Sequence, residues 1–283
     1  MKRFIKLKEW GVSVNALMRP PDSYLENTDG SLRSEDFLLR TDENGFIRTG
    51  HHVPADAERI VILGDSVPEN LYVHEGKRAW PLLERLFFTN NKLVGILNGG
   101  MSGATMLHTI NCFINKVVPL NPKAVVVMNG ISDIEAGLMK DGYWSEDHYV
   151  TPITRQTDVA CPRTQQLRLE QREKFLQIFH HMAAVHGVPV VFTTVAHRAD
   201  PDEPFIRQMY GDISEFQRKV EYRRLMNAQT REYCRKNSLN LVDLENDLRS
   251  EGNIFYDEYH LNEAGSAVVA LQLYKRLSSC LIF

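Results

Sequence analysis

A short apolar run, Arg59 to Leu63, leads straight into Gly64-Asp65-Ser66, and near the other end of the chain stands Asp257-Glu258-Tyr259-His260. A serine on a strand-to-loop turn, with an aspartate three residues before a histidine, supplies a nucleophile, a base and a carboxylate to hold the base. A serine hydroxyl is a poor nucleophile until a base removes its proton. An aspartate three positions before a histidine in a tight turn can reach the ring nitrogen that faces away from the serine. Ser66, His260 and Asp257 are therefore the candidate catalytic residues. Taken singly they have plainer readings, as a turn serine, a capping aspartate and a surface histidine.

The elements that must bring these residues together are legible as an alternation. Arg59 to Leu63, Leu93 to Leu97, Ala124 to Met128, Pro189 to Thr193 and Asn240 to Val242 are short apolar runs of the kind buried on both faces of a parallel sheet. Helical patterns lie between them. Phe175, Ile178, Phe179 and Met182 share one helix face. Ser214 and Gln217 form a capping box at the start of another helix. Asn262 caps the last helix, with Ala264, Val268 and Leu271 on its core face. Five strands with helical crossovers imply an α/β domain over residues 59–283 with right-handed connections.

Residues 1–58 read as an N-terminal extension. They are rich in turn formers, and Asp42-Glu43-Asn44-Gly45 between two apolar runs predicts a β-hairpin. The stretch 134–162 shows little periodicity and reads as an irregular loop or a small lid.

In an open α/β sheet, sites form at the carboxyl ends of the strands. The second strand is followed by Asn98-Gly99-Gly100-Met101-Ser102-Gly103, and the third by Asn129-Gly130-Ile131-Ser132-Asp133. With Gly64-Asp65-Ser66 and Asp257-x-x-His260-Leu261-Asn262-x-x-Gly265, these blocks resemble the SGNH hydrolases, the GDSL-type esterases and lipases, over roughly residues 59 to 280. The resemblance implies a flavodoxin-like, three-layer αβα sandwich around a central five-stranded parallel sheet. It implies an oxyanion hole from the backbone N–H groups of Ser66 and Gly103. The third block departs from the family's Gly-x-Asn-Asp: Ser132 stands where the asparagine donor is expected. Ser132 is either a shorter donor, direct or through water, or a plain turn residue; Asn129 lies nearby on the wrong residue by the motif's count.

Other chemistry-bearing residues carry weaker signals. Asp65 and Asp133 read as structural, accepting backbone N–H bonds. His51-His52 and His180-His181 are adjacent pairs, poorly spaced for metal ligation, and no metal or cofactor is expected. His148 and His197 sit in loops as candidates for substrate contact that nothing in the sequence singles out, and Asp243 is a second candidate acid. Cys112, Cys161, Cys234 and Cys280 form no CxxC and read as reduced thiols, Cys112 as a core residue.

With 283 residues, 43% of them hydrophobic, the chain can bury a full core. A net charge of -3 without a basic face excludes a nucleic-acid binder, and Arg218-Lys219 through Arg223-Arg224 reads as the wet face of a helix. No segment approaches the ~20 apolar residues of a membrane span, and no signal-peptide core follows Met1 to Lys6, so a cytoplasmic location is expected. The expected activity is a serine esterase acting on a short O-acyl ester of a carbohydrate or small molecule. The alternatives are transfer of the acyl group to a sugar hydroxyl, and a non-catalytic binding protein on a hydrolase frame.

Overall fold

The structure, a computed structural model, describes residues 4–5, 8–51, 53–54, 57–145, 153–154 and 162–281. His52, His148 and Cys161 lie outside these residues. Five parallel strands form the central sheet: β1 (Glu58–Gly64), β2 (Val94–Gly100), β3 (Ala124–Met128), β4 (Val190–Thr193) and β5 (Asn240–Val242). Their spatial order is β2-β1-β3-β4-β5. The chain runs outward from β1 in one direction and then in the other, so a crevice opens at the carboxyl ends of β1 and β3.

Period-two alternation assigns each strand residue to a layer. Ile60, Ile62, Val126 and Val242 face a core shared with α1 (Ala79–Thr89) and α6 (Glu263–Cys280), where Trp80, Leu83, Phe87, Leu273 and Leu277 are buried. Val61, Leu63, Val125 and Val127 face the opposite core with α2 (Met106–Cys112) and α4 (Glu170–Val185), built on Met106, Phe175, Leu176 and Phe179. Two further helices, α3 (Ile131–Leu138) and α5 (Ile213–Lys236), complete the three-layer α/β sandwich.

Several local expectations shift. α3 occupies the start of the stretch read as irregular, and Gly142–Trp144 forms a 3-10 turn within it. Its helical period was masked by Asp133 and Gly137, which are buried although they are not large apolar residues. The first apolar run of the expected hairpin, Phe37–Arg40, pairs with Asn15–Met18, while across the Asn-Gly turn Thr41 bridges Ile47 and the N–H groups of Asp42 and Arg48 donate to the Phe46 and Arg40 carbonyls at 2.9 and 2.8 Å. Asp212 rather than Ser214 caps α5, its carboxylate accepting from the Ser214 N–H at 2.9 Å. The core faces of α4 and α6 include Leu176 and Ala183, and Val269, Ala270 and Leu273, while Ile178 and Leu271 are exposed. Asn262 does cap α6, accepting from the Gly265 N–H at 3.0 Å.

Candidate active site

The turn after β1 is shaped by what its backbone must avoid. A Cβ on Gly64 would lie 2.1 Å from the Met128 carbonyl oxygen on β3. A Cβ on Gly100 would lie 2.4 Å from the Glu69 backbone nitrogen, so only glycine lets the end of β2 press against the same turn. Ser66 begins the one-turn helix Ser66–Glu69, capped by Asp65, whose Oδ1 accepts from the Val67 N–H at 3.2 Å. Asp65 Oδ2 accepts from the N–H groups of Gly130 and Ser132 at 3.1 and 3.2 Å. One fully buried carboxylate thereby ties the Ser66 turn to the loop after β3. Asn70 ties it to the last loop: its Nδ2 donates to the Leu261 carbonyl at 3.4 Å, and its Oδ1 accepts from the Ser266 hydroxyl at 3.0 Å.

Ser66, His260 and Asp257 meet in one line. His260 Nε2 lies 2.8 Å from Ser66 Oγ, and Nδ1 lies 2.6 Å from Asp257 Oδ2. Asp257 Oδ1 accepts from the backbone N–H groups of Tyr259 and His260 at 2.9 and 2.7 Å. An ionised carboxylate only accepts, so Nδ1 carries the proton and Nε2 is free to accept the serine hydroxyl. Burial disfavours charge at His260, but the Asp257 carboxylate, assisted by Asp65 and Glu69, outweighs it and holds the imidazolium above the ordinary histidine range. At Asp257, burial is likewise outweighed by the His260 imidazole and by donated hydrogen bonds, and the carboxyl lies below its ordinary range.

The loop that carries this pair is held from outside. Arg198 Nε donates to the Asp257 carbonyl at 2.8 Å and its Nη2 to the Phe255 carbonyl at 2.9 Å. Glu258 is buried against Arg223 and the Tyr210 hydroxyl. The Tyr256 ring stacks on the imidazole, with centroids 5.7 Å apart and planes 11° from parallel.

A cavity of about 300 Å³ opens on Ser66 and His260. Ser102, Ser132, Glu69, Glu135, Tyr24, Tyr72, Tyr256 and Tyr259 share its wall. Gly103 is buried, with φ at 75°, in the loop after β2. Asn129 is committed elsewhere: its Nδ2 donates to the Ala104 carbonyl at 3.0 Å, and its Oδ1 accepts from the Thr109 hydroxyl at 2.7 Å. Ser132 is thus the one side chain of that loop's two candidate donors that reaches the cavity.

Three side chains at the site carried no sequence signal. Tyr24 belongs to the N-terminal region and lies 3.1 Å from Asp257 Oδ2 through its hydroxyl. Glu69 is buried beside Ser66, which pushes its carboxyl upward, while the Ser102 hydroxyl and the Trp10 indole donate to it and oppose the shift. Trp10 Nε1 makes its bond at 3.0 Å, again from the N-terminal region. Local spacing holds no trace of contacts this distant in sequence.

The remaining candidates lie elsewhere. Asp133 accepts from the Met106 N–H at 2.8 Å and pairs with the buried Arg172 at 3.1 Å. Asp243 pairs with Arg231 at 2.7 Å and with Thr194, which removes it as a second acid for His260. His197, enclosed between Glu245 and the Arg198 carbonyl, lines no part of the cavity. His51 pairs with Glu84, and His180 bonds the Tyr233 hydroxyl. Burial pushes the Cys112 thiol up to about 11, and Cys112, Cys234 and Cys280 are free. Arg223 corrects the reading of its basic stretch as wholly solvated, since it is 4% exposed and faces Glu258. Among the described residues no helix is long and apolar enough to cross a membrane.

Comparison with protein families gives a match over residues 62–268 to the GDSL-like Lipase/Acylhydrolase family. No curated protein matches the chain in sequence. Similar solved structures include the acetyl xylan esterase AlAXEase, with 18% identity and a TM-score of 0.52 over 77% of this chain and 98% of that one. The lipase/acylhydrolase from Enterococcus faecalis aligns with 16% identity and a TM-score of 0.53, over 80% and 97% of the two chains. TesA aligns with 15% identity and a TM-score of 0.55, over 79% and 100%. At these identities the likeness is one of fold.

Proposed function

Because the chain belongs to the GDSL-like lipase/acylhydrolase family and is a carboxylic ester hydrolase, we propose that it is a serine esterase working through an acyl-enzyme on a short O-acyl ester of a carbohydrate or small molecule. The observation that carries this reading is the unbroken line from Ser66 Oγ through His260 to Asp257, at 2.8 and 2.6 Å. Ser66 Oγ attacks the ester carbonyl carbon while its proton passes to His260 Nε2. The charge that develops on the carbonyl oxygen is met by the N–H groups of Ser66 and Gly103, with the Ser132 hydroxyl assisting. As the tetrahedral species collapses, the ester C–O bond breaks and the leaving alcohol takes the proton from His260. Water then repeats the sequence on the acyl-enzyme, giving up a proton to His260 and releasing the acid.

A cavity of about 300 Å³ suits a short acyl group. Its hydroxyl and carboxyl lining suits a hydroxyl-rich alcohol part, and one similar fold belongs to an acetyl xylan esterase. Free Cys112 and Cys234, both buried, support a reducing, cytoplasmic setting. A second reading is transfer of the acyl group to a sugar hydroxyl, which needs water kept from the acyl-enzyme, a task for which Tyr24, walling the cavity from the N-terminal region, is placed.

A fluorophosphonate probe tests the nucleophile. Wild type is expected to label and Ser66→Ala is not, with hydrolysis in that variant falling on the order of 10⁴-fold or more. No labelling of wild type would return the chain to the non-catalytic reading. Product analysis with an acetyl ester, with and without a sugar acceptor, separates hydrolysis from transfer.

A further inference from the structure

The nitrogen of His260 that faces away from Ser66 has a second neighbour besides Asp257. Tyr24 Oη lies 3.1 Å from Asp257 Oδ2 and 3.2 Å from His260 Nδ1, against the very bond that orients the base. It reaches there from the short helix Asp22–Leu25, 233 residues away from Asp257 in sequence. The Tyr24 ring is held by aromatic neighbours, 5.3 Å from Tyr72 and 6.5 Å from Tyr256 between centroids. Its segment is fastened to the catalytic loop directly, where the Asp29 N–H donates to the Tyr256 carbonyl at 2.8 Å, and indirectly, where the Asp29 carboxylate pairs with the Arg198 that supports that loop. This is a seated side chain with one polar atom, and that atom faces the catalytic pair, with Tyr256 as a further hydrogen-bond neighbour.

We infer that Tyr24 is a positioning residue for catalysis: its O–H donates to Asp257 Oδ2 and fixes the plane in which that carboxylate holds His260. The inference rests on the serine-esterase reading above. The direction of the proton follows from chemistry. An ionised carboxylate has no proton to give, and the short 2.6 Å contact directs the Nδ1–H at Oδ2. The phenol therefore donates to the carboxylate. Asp257 then accepts four bonds, from two backbone N–H groups, the imidazole and Tyr24. A carboxylate shared in this way cannot swing, and it draws less strongly on the imidazole proton than it would without the phenol.

That moderation gives a readout distinct from packing. The groups facing His260 are Asp257, Tyr256 and Tyr259 from its own loop, Asp65, Ser66 and Glu69 from the turn after β1, and Tyr24 from the N-terminal region. Tyr24→Phe keeps the ring and removes only the donor. Asp257 then pulls harder on the imidazolium, so His260 loses its proton at higher pH.

The test compares wild type and Tyr24→Phe for ester hydrolysis across pH, with probe labelling and thermal unfolding alongside. The expected result is a fall of about tenfold in kcat, as for loss of one hydrogen bond to a charged group. KM should stay within about twofold, and the acidic limb of kcat/KM should move up by about half a pH unit. Unchanged kcat and an unmoved limb would overturn the inference. So would a fall in kcat that tracks a lowered unfolding temperature while the limb stays in place, because that is the mark of packing alone. Tyr24→Leu, which loses ring and hydroxyl together, should show the same upward limb shift with a further loss of stability; a limb that stays put in both variants sinks the assignment. If wild type itself neither labels nor hydrolyses, the serine-esterase reading fails first and takes this inference with it.

Discussion

The loops at the carboxyl edge of the sheet and the N-terminal region meet at the same cavity, but they are held there by different kinds of bond. The loops are cross-linked by carboxylates that grip backbone. Asp65 holds the N–H groups of Val67, Gly130 and Ser132, Asp133 holds Met106, and Asp257 holds Tyr259 and His260. The N-terminal region reaches the charged groups of the site through side chains, with the Tyr24 hydroxyl on Asp257 and the Trp10 indole on Glu69, while its backbone bonds, from the Asp29 N–H to the Tyr256 carbonyl and from the Ile47 N–H to the Asn98 carbonyl, fall on neighbouring residues. Backbone grips fix the position of a peptide and tolerate little change. Side-chain contacts depend on rotamers that cost entropy to order, and they can be altered without moving the frame. The first region therefore sets whether the chemistry occurs, and the second tunes it.

Changes at the carboxyl edge should have the largest effects. Asp257→Asn keeps the shape but can turn an amide N–H toward Nδ1, which leaves Nε2 protonated and unable to accept from Ser66. Hydrolysis should fall on the order of 10³–10⁴-fold. The Asp257 carboxylate raises the His260 imidazolium, so its loss lowers that group, and the acidic limb of the residual activity should move to lower pH. A pH–rate profile checks both. A fall of less than about tenfold would place Asp257 among the tuning residues and erase the contrast.

Ser132→Ala sharpens it. The backbone grip of Asp65 on residue 132 stays, and only the hydroxyl at the cavity is lost. Loss of one oxyanion donor lowers kcat by about 10²-fold with little change in KM. An unchanged kcat would reduce Ser132 to a turn residue and leave the oxyanion to backbone N–H groups alone.

Trp10→Phe should have the smallest effect. Activity should stay within about threefold, while stability falls by about 1 kcal/mol as Glu69 loses one donor. The sign with pH is fixed by burial. Glu69 is raised in the folded chain, so the folded state binds more protons than the unfolded one as pH rises past the ordinary carboxyl range, and stability falls through that window. The variant raises Glu69 further, so its deficit in urea midpoint should be larger at pH 8 than at pH 5. An equal deficit at both would mean that the indole contributes packing and no hydrogen bond.

The parts legible in the sequence are those whose physics is local. β3 runs over the residues its apolar run marks, because a strand buried on both faces must be continuously apolar, and β5, a partly buried edge strand, also matches its marked run. Asp257 and His260 are three apart, so their bond needs only one tight turn. The core face of α4 holds Phe175 and Phe179 as the spacing predicts, but apolar Ile178 is exposed, and the face of α6 lies about a residue from the expected one with Leu271 exposed, because hydrophobicity alone does not say which side faces in. Arg223 stands in a run of charge that gives no hint that one of its members turns inward to Glu258. Tyr24 was illegible for a different reason: its partner is the far end of the chain, and no period or spacing encodes such a contact.

The bond from Tyr24 to Asp257 closes a loop of 233 residues. Loop closure grows costlier only with the logarithm of length, so the span itself is a small thermodynamic burden. Its weight falls on timing instead. While the chain is being synthesised, Tyr24 leaves the ribosome long before the aspartate it serves exists, and it can meet that partner only after the loop carrying Asp257 has been made. The contact therefore joins an early-made residue of the site to a late-made one, so its tuning is added to the centre only once both ends of that span are present.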